Sequence, residues 1–137
     1  GGYYFEEMKR RAGAQPSSVK ILDFLREMDF AYAVADVVVS RAGALSIAEL
    51  MLTGKPSILV PSPNVADDHQ TINARALVER NAALMVRDSE GKGALIKATI
   101  DLFDNKEQRE ILSRNIHDMA HPNASNEIAQ HIIQMIA

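Results

Sequence analysis

The chain has 137 residues, enough for one domain or a part of one. Its 15 Lys and Arg against 18 Asp and Glu give a net charge of −3, which argues against the basic surface that a nucleic-acid-binding protein needs. The absence of cysteine excludes disulfides, thiolate metal sites and cysteine nucleophiles, and fits a cytosolic protein. The first residues lack the layout of a signal peptide, and we expect the chain to be part of a longer protein.

Short β-branched runs alternate with stretches of helical spacing along the first two thirds of the chain. Runs of this kind are typical of strands buried on both faces of a parallel sheet. The alternation predicts right-handed βαβ units in an open, Rossmann-like α/β sheet. In chain order the predicted elements are helix Tyr4–Ala12, strand Val19–Leu22, helix Met28–Ala35, strand Val37–Val39, helix Leu45–Thr53, strand Ile58–Val60, helix Gln70–Arg80 and strand Leu84–Val86.

After Asp88 the pattern becomes purely helical, which predicts that C-terminal helices follow the sheet. The last of these has a predicted N-cap at Asn123 or Ser125. Earlier in the chain, Gly54 stands where a helix C-terminal glycine belongs, and Pro56 prevents that helix from continuing.

Ligands of open α/β sheets bind at the carboxyl ends of the strands. This rule selects three loops for the functional site: Asp23–Met28, Ser40–Ser46 and Pro61–Gln70.

The segment Ser40–Glu49 is the most informative of the chain. Small residues form a turn between strand and helix, and the helix start presents free N–H groups that suit an anion. Ser46 and Glu49 have two interpretations. They match a capping box, in which each side chain satisfies a backbone N–H. Alternatively, Glu49 is a carboxylate at the mouth of the sheet that accepts hydrogen bonds from a sugar diol.

The loop before the fourth predicted helix concentrates polar residues, and three interpretations stay open. Asp67, Asp68 and His69 could bind a metal, although adjacent residues seldom converge on one ion. An aspartate could cap the helix before a solvated first turn. In the third interpretation, Gln70 and Asn73 share a helical face and supply amides to sugar hydroxyls. His117 and His121 lie one helical turn apart, but the pattern favours a solvated helix end over a metal site.

Taken together, three stretches resemble MurG, the family of bacterial cell-wall GlcNAc transferases. They are Ala35-Asp36-Val37-Val38-Val39-Ser40-Arg41-Ala42-Gly43-Ala44-Leu45-Ser46-Ile47-Ala48-Glu49-Leu50, Gly54-Lys55-Pro56-Ser57-Ile58-Leu59-Val60-Pro61 and Asp68-His69-Gln70-Thr71-Ile72-Asn73-Ala74. The similarity runs from Tyr3 to the C-terminus. It implies an inverting GT-B enzyme that transfers GlcNAc from UDP-GlcNAc to lipid-linked muramyl pentapeptide, converting lipid I to lipid II in peptidoglycan synthesis.

The resemblance assigns roles to residues of this sequence. It implies that the backbone of Ala44–Ser46 holds the diphosphate, that Glu49 binds the ribose and that Leu25 contacts uracil through its backbone. Gln70 and its neighbour His69 would contact GlcNAc, although the family often has a second glutamine at that neighbouring position. Arg41, Gly43, Leu45 and Asn73 complete the expected substrate site. No bound metal or other cofactor is implied, and no catalytic base is identified.

The resemblance also implies what this chain lacks. Residues 1–137 correspond to part of the C-terminal, donor-binding domain, so the N-terminal acceptor domain with its membrane-facing patch is absent. Strands that would lie between Val19–Leu22 and Val37–Val39 are expected to be missing. The fragment alone is therefore expected to be inactive. The whole protein is expected to be cytoplasmic and peripherally attached to the inner face of the plasma membrane.

Three alternatives remain at this point. The chain could be the donor-binding subunit of a split lipid-linked GlcNAc transferase, or part of an enzyme resembling UDP-GlcNAc 2-epimerase. It could also be a nucleotide-sugar sensor that binds UDP-GlcNAc without transferring the sugar.

Overall fold

The computed structural model describes residues 2–63 and 68–136, and the side chains from residue 4 onwards. Its elements are α1 (Gly2–Ala12), α2 (Met28–Val34), β1 (Val38–Ser40), α3 (Ala44–Thr53), β2 (Ser57–Leu59), α4 (His69–Val78), β3 (Leu84–Met85), a 3₁₀ turn (Asp88–Glu90), α5 (Gly91–Asp104), α6 (Lys106–His117) and α7 (Ala124–Ile136). The chain divides into two compact units, residues 1–33 and 34–137. The predicted elements are present except for one strand, with boundaries that differ by up to two residues.

The first unit contains α1, most of α2 and a long connection between them. In α1 an ion pair joins Glu7 to Arg11, and Lys9 lies over the ring of Phe5 at 5.7 Å. The basic end of this helix, Lys9, Arg10 and Arg11, is solvent-exposed.

The predicted strand Val19–Leu22 is wrong. The segment is in neither a helix nor a strand, and Val19 and Leu22 are 48% and 57% exposed. The Val19 N–H donates to the carbonyl of Pro16 at 2.9 Å, which closes a local turn. A β-branched run becomes a strand only when a neighbouring strand accepts its backbone hydrogen bonds. Here a local bond has taken up one of those donors.

The second unit is built on a three-stranded parallel sheet in the order β1-β2-β3. Val39 pairs with Ile58, and Ile58 pairs with Leu84, so β2 is the central strand. All three residues of β2 are buried, as expected for a strand covered on both faces. The parallel sheet confirms the predicted α/β class.

The core lies between the sheet and the C-terminal helices. Ile58 and Val86 pack with Leu102 of α5 and Leu112 of α6. The helices predicted after Asp88 are present, and two of them pack against the sheet. Gly54 ends α3 in the left-handed conformation at φ 60°, and its N–H caps the carbonyls of Leu50 and Met51. The predicted C-terminal glycine is confirmed.

The last helix begins at Ala124, directly after Asn123, whose carbonyl accepts the N–H of Glu127 at 3.0 Å. This confirms the Asn123 alternative for the N-cap position. Among the helices in the described ranges, none combines the length and the apolar character needed to cross a membrane.

Candidate functional site

The β1–α3 turn (residues 41–43) follows the carboxyl end of β1 and leads directly into α3. Gly43 occupies the N-cap position with φ −70° and ψ 148°, and the Ile47 N–H makes the first helical hydrogen bond to its carbonyl at 3.0 Å. The N–H groups of Ala44, Leu45 and Ser46 lie ahead of that bond. They form the open, positively polarised end of the helix dipole, which favours an anionic ligand.

The capping-box interpretation of Ser46 and Glu49 is wrong. A capping box requires Ser46 at the N-cap, but the helix begins two residues earlier, so Ser46 is its third residue and Glu49 its sixth. The reason is local: Gly43 adopts an extended conformation, and the chain is already helical at Ala44. Glu49 is exposed on the helix surface. It lies one turn beyond Ser46 and Leu45, so these residues share a helix face with it.

Space is open in front of this turn. A Cβ added to Gly43 would meet nothing nearer than the Ser46 hydroxyl, at 4.0 Å. Because φ −70° is accessible to any residue, the backbone does not require glycine here. What glycine provides is a bare approach to the helix start, as the sequence indicated. Leu45 beside it is 83% exposed.

Arg41, which follows β1, contacts residues that follow β2 and β3. Its Nη1 atom lies 3.1 and 3.2 Å from the carbonyl oxygens of Val60 and Pro61, which follow β2. The same nitrogen lies 3.0 Å from Oδ1 of Asp88, which follows β3. The side chain that was expected to bind ligand is thus held across the edge of the sheet, and its charge is paired with a carboxylate.

Gln70 and Asn73 lie on one face of α4, as predicted, and both bond to strand-end loops. The Gln70 Oε1 accepts the Ser62 N–H at 2.9 Å, and the Asn73 Nδ2 donates to the Ala42 carbonyl at 3.2 Å. The bond of Gln70 uses its oxygen, and the other end of the same amide is the Nε2 donor. Both side chains are half-buried.

The start of α4 is solvent-exposed at Asp68 and His69. Asp68 occupies the N-cap position of α4, as the aspartate-cap interpretation had it, but with φ 53° its side chain makes no cap hydrogen bond. Its left-handed backbone lies outside the extended conformation in which an N-cap side chain reaches back to the helix. Asp67 and the rest of residues 64–67 lie outside the described part of the chain. The described ranges contain no group of three His, Cys, Asp or Glu side chains arranged to hold a metal.

Two concave surfaces border the site. A cleft of about 530 Å³ lies between the loop after β2 and the 3₁₀ turn, with Pro61, Thr71 and Asp88 in its wall. A groove of about 360 Å³ between α3 and α4 brings Ala44 and Asn73 together. The first surface adjoins the expected sugar side of the site, and the second adjoins the helix start.

Leu25 belongs to the first unit, in the extended connection before α2, and is 38% exposed. The other nine predicted site residues belong to the second unit. There the structure places Arg41, Gly43, Ala44, Leu45 and Ser46 at the start of α3, and Asn73 bonds to the turn that precedes it. Sequence reasoning missed Ser62 and Asp88. Ser62 lies in one of the three loops that the strand-end rule selected, whereas Asp88 lies outside all three, and no residue pattern identified the partner of either.

A parallel sheet with an uncapped helix after its first strand and polar side chains after the next strand defines a Rossmann-like α/β domain. The model of the glycosyltransferase family 28 C-terminal domain matches residues 1–132. The chain belongs to this family.

Curated relatives agree with this assignment. A Cytophaga hutchinsonii protein named UDP-N-acetylglucosamine--N-acetylmuramyl-(pentapeptide) pyrophosphoryl-undecaprenol N-acetylglucosamine transferase is 46% identical over 136 residues, which are 99% of this chain and 36% of that protein. A Flavobacterium psychrophilum protein of the same name is 43% identical, with the same shares covered. The crystal structure of Acinetobacter baumannii MurG superposes with a TM-score of 0.84 at 27% identity, covering 98% of this chain and 39% of that one.

These findings confirm the resemblance on which the sequence prediction rested. The chain spans a little over a third of the length of the curated relatives it matches.

Proposed function

We propose that this chain is the donor-binding part of an inverting glycosyltransferase that moves GlcNAc from UDP-GlcNAc to lipid-linked muramyl pentapeptide. The observation that carries the proposal is the uncapped start of α3, which opens beside a β1–α3 turn that α4 holds in place. The names of the curated relatives supply the donor and the acceptor. They favour transfer over the 2-epimerase and sensor alternatives.

In this proposal the diphosphate of the donor lies against the N–H groups of Ala44, Leu45 and Ser46. Negative charge grows on the diphosphate as the bond to GlcNAc breaks. Fixed N–H dipoles at a helix start stabilise such charge without reorganising, and most strongly where water is excluded. The proposal invokes no metal or other cofactor in this part of the protein.

The remaining site residues are assigned to the other parts of the donor. Glu49, on the same helix face as Leu45, accepts hydrogen bonds from the ribose hydroxyls, and the backbone of Leu25 contacts uracil. Gln70 donates through Nε2 to GlcNAc, with His69 beside it. Arg41, Gly43 and Asn73 complete the donor site around the β1–α3 turn.

The chain is proposed to be part of a C-terminal donor domain in a two-domain GT-B enzyme. The acceptor would then be bound by an N-terminal domain outside these residues. Because that acceptor carries a lipid, the whole protein is proposed to work in the cytoplasm, peripherally attached to the inner face of the plasma membrane. A nucleic-acid partner forms no part of the proposal.

The test uses the full-length protein with UDP-GlcNAc labelled in the sugar and a lipid-linked muramyl pentapeptide. We expect the label to move to the lipid, with the α linkage of the donor becoming a β linkage. Release of UDP-ManNAc without an acceptor would instead show the 2-epimerase. Binding of UDP-GlcNAc without transfer, in the presence of the acceptor, would show the sensor. Either result overturns the proposal.

A further inference from the structure

Asn73 is joined to the β1–α3 turn by a single side-chain hydrogen bond. Its Nδ2 group donates to the carbonyl of Ala42, which is 31 positions away in the sequence, at 3.2 Å. Ala42 has no exposed surface at all. A buried carbonyl without a hydrogen-bond partner costs free energy, so breaking this bond is unfavourable.

The bond also sets a direction. A peptide group is planar and trans, so the Ala42 carbonyl and the Gly43 N–H point in opposite directions. Holding the carbonyl towards α4 turns the Gly43 N–H away from α4 and fixes the plane of the peptide from which α3 begins. The carbonyl of Gly43 in turn accepts the first hydrogen bond of α3, from Ile47 at 3.0 Å. The Asn73 side chain thus influences the orientation of the N–H groups at the helix start, through the two peptide groups that lie between them.

We infer that Asn73 is a positioning residue for the diphosphate rather than a ligand of the sugar. The inference rests on the proposed function, because it assumes that the diphosphate binds at the start of α3. The side-chain amide orients the turn. Its removal therefore weakens the binding of every ligand that carries the diphosphate, whether or not a sugar is attached.

The experiment measures the affinity of the full-length protein for UDP and for UDP-GlcNAc in Asn73→Leu, which keeps the size of the side chain and removes the donor. We expect both affinities to fall by the same factor, about fivefold to tenfold for one lost hydrogen bond and a poorly oriented turn. Asn73→Ala is measured alongside it, so that a folding failure of one variant leaves the other. Asn73→Gln, which keeps an amide donor, should retain more affinity than either.

Asn115→Leu is the matched control. Asn115 also donates its amide to backbone carbonyls, those of Asn81 at 2.8 Å and Arg80 at 3.5 Å, at the far end of α4. This variant should lower the melting temperature and leave both affinities unchanged. Three outcomes overturn the inference: a loss confined to UDP-GlcNAc, which would make Asn73 a sugar ligand; unchanged affinity for both ligands; or an equal loss of affinity in the Asn115 control. A wild-type protein that binds neither UDP nor UDP-GlcNAc would instead refute the proposed function, and the inference with it.

Discussion

Glu49→Gln separates a ribose ligand from a residue that only stabilises its helix. The substitution removes one charge and keeps the size and hydrogen-bonding shape of the side chain. Because α3 begins at Ala44 and the capping box is absent, Glu49 has no capping role to lose. The side chain is exposed, so we expect the free energy of unfolding to change by less than about 0.5 kcal/mol.

The expected loss appears in donor binding. A hydrogen bond to a charged group contributes about 1.5–3 kcal/mol, and replacing the carboxylate by an amide removes most of that advantage. This corresponds to about tenfold to hundredfold weaker binding of UDP. The effect should be the same for uridine diphosphate with and without GlcNAc, because the ribose is common to both.

The assay is titration calorimetry on the full-length protein, with thermal melting measured on the same samples. Glu79→Gln is the matched control, since it removes an equal charge from an exposed glutamate just after α4. It should leave affinity unchanged. If Glu49→Gln binds UDP as tightly as the wild type, the ribose assignment is wrong. If the melting temperature falls together with affinity, Glu49 stabilises the helix and the loss cannot be attributed to a ribose contact.

Four further predictions concern the sugar side, the Arg41–Asp88 ion pair, the core and the isolated chain. Gln70→Glu keeps an oxygen for the Ser62 N–H but removes the Nε2 donor, so UDP-GlcNAc affinity should fall while UDP affinity is unchanged; equal losses would contradict a sugar contact. Asp88→Asn weakens the partner of Arg41 at the sheet edge, and we expect a stability loss of at most about 1 kcal/mol in a denaturant melt, because both side chains are largely exposed. Leu102→Ala opens a cavity at a fully buried position of α5 and should cost about 2–5 kcal/mol of unfolding free energy by chemical denaturation, so a loss below 1 kcal/mol would refute the packing. The purified 137-residue chain should transfer no GlcNAc to the lipid-linked acceptor, because the acceptor must be held against the donor for reaction; product formation by the chain alone would refute this.

The sequence predicted correctly the helices and strands whose apolar pattern reflects their burial. Ile58 and Leu84 belong to β-branched or apolar runs covered by helices, and their pairing follows from the βαβ rule. Val19–Leu22 is a similar run that includes one lysine, and it did not form a strand, because strand formation depends on a neighbouring strand that the composition of the segment itself cannot reveal.

The site shows the same division. The open helix start after the β1–α3 turn could be predicted from the sequence, since it depends only on small residues and a helix start. The sequence could not exclude the capping box, since the pattern Ser-x-x-Glu does not itself show whether the serine lies at the N-cap. Only the conformation of Gly43 sets where α3 begins. The partners of Arg41 and Asn73 lie 19 to 47 positions away, and no local pattern encodes such distances.

The hydrogen bonds of Arg41 have a consequence for the thermodynamics of ligand binding. Arg41 joins the carboxyl ends of β2 and β3 to the segment that follows β1, so hydrogen bonds within the protein hold this loop geometry. A ligand that meets a preformed loop does not have to restrict that part of the backbone, and the entropic cost of ordering it is already included in folding. Replacing Arg41 by alanine should therefore make the binding entropy of UDP more unfavourable, a change that calorimetry resolves even where the free energy changes little.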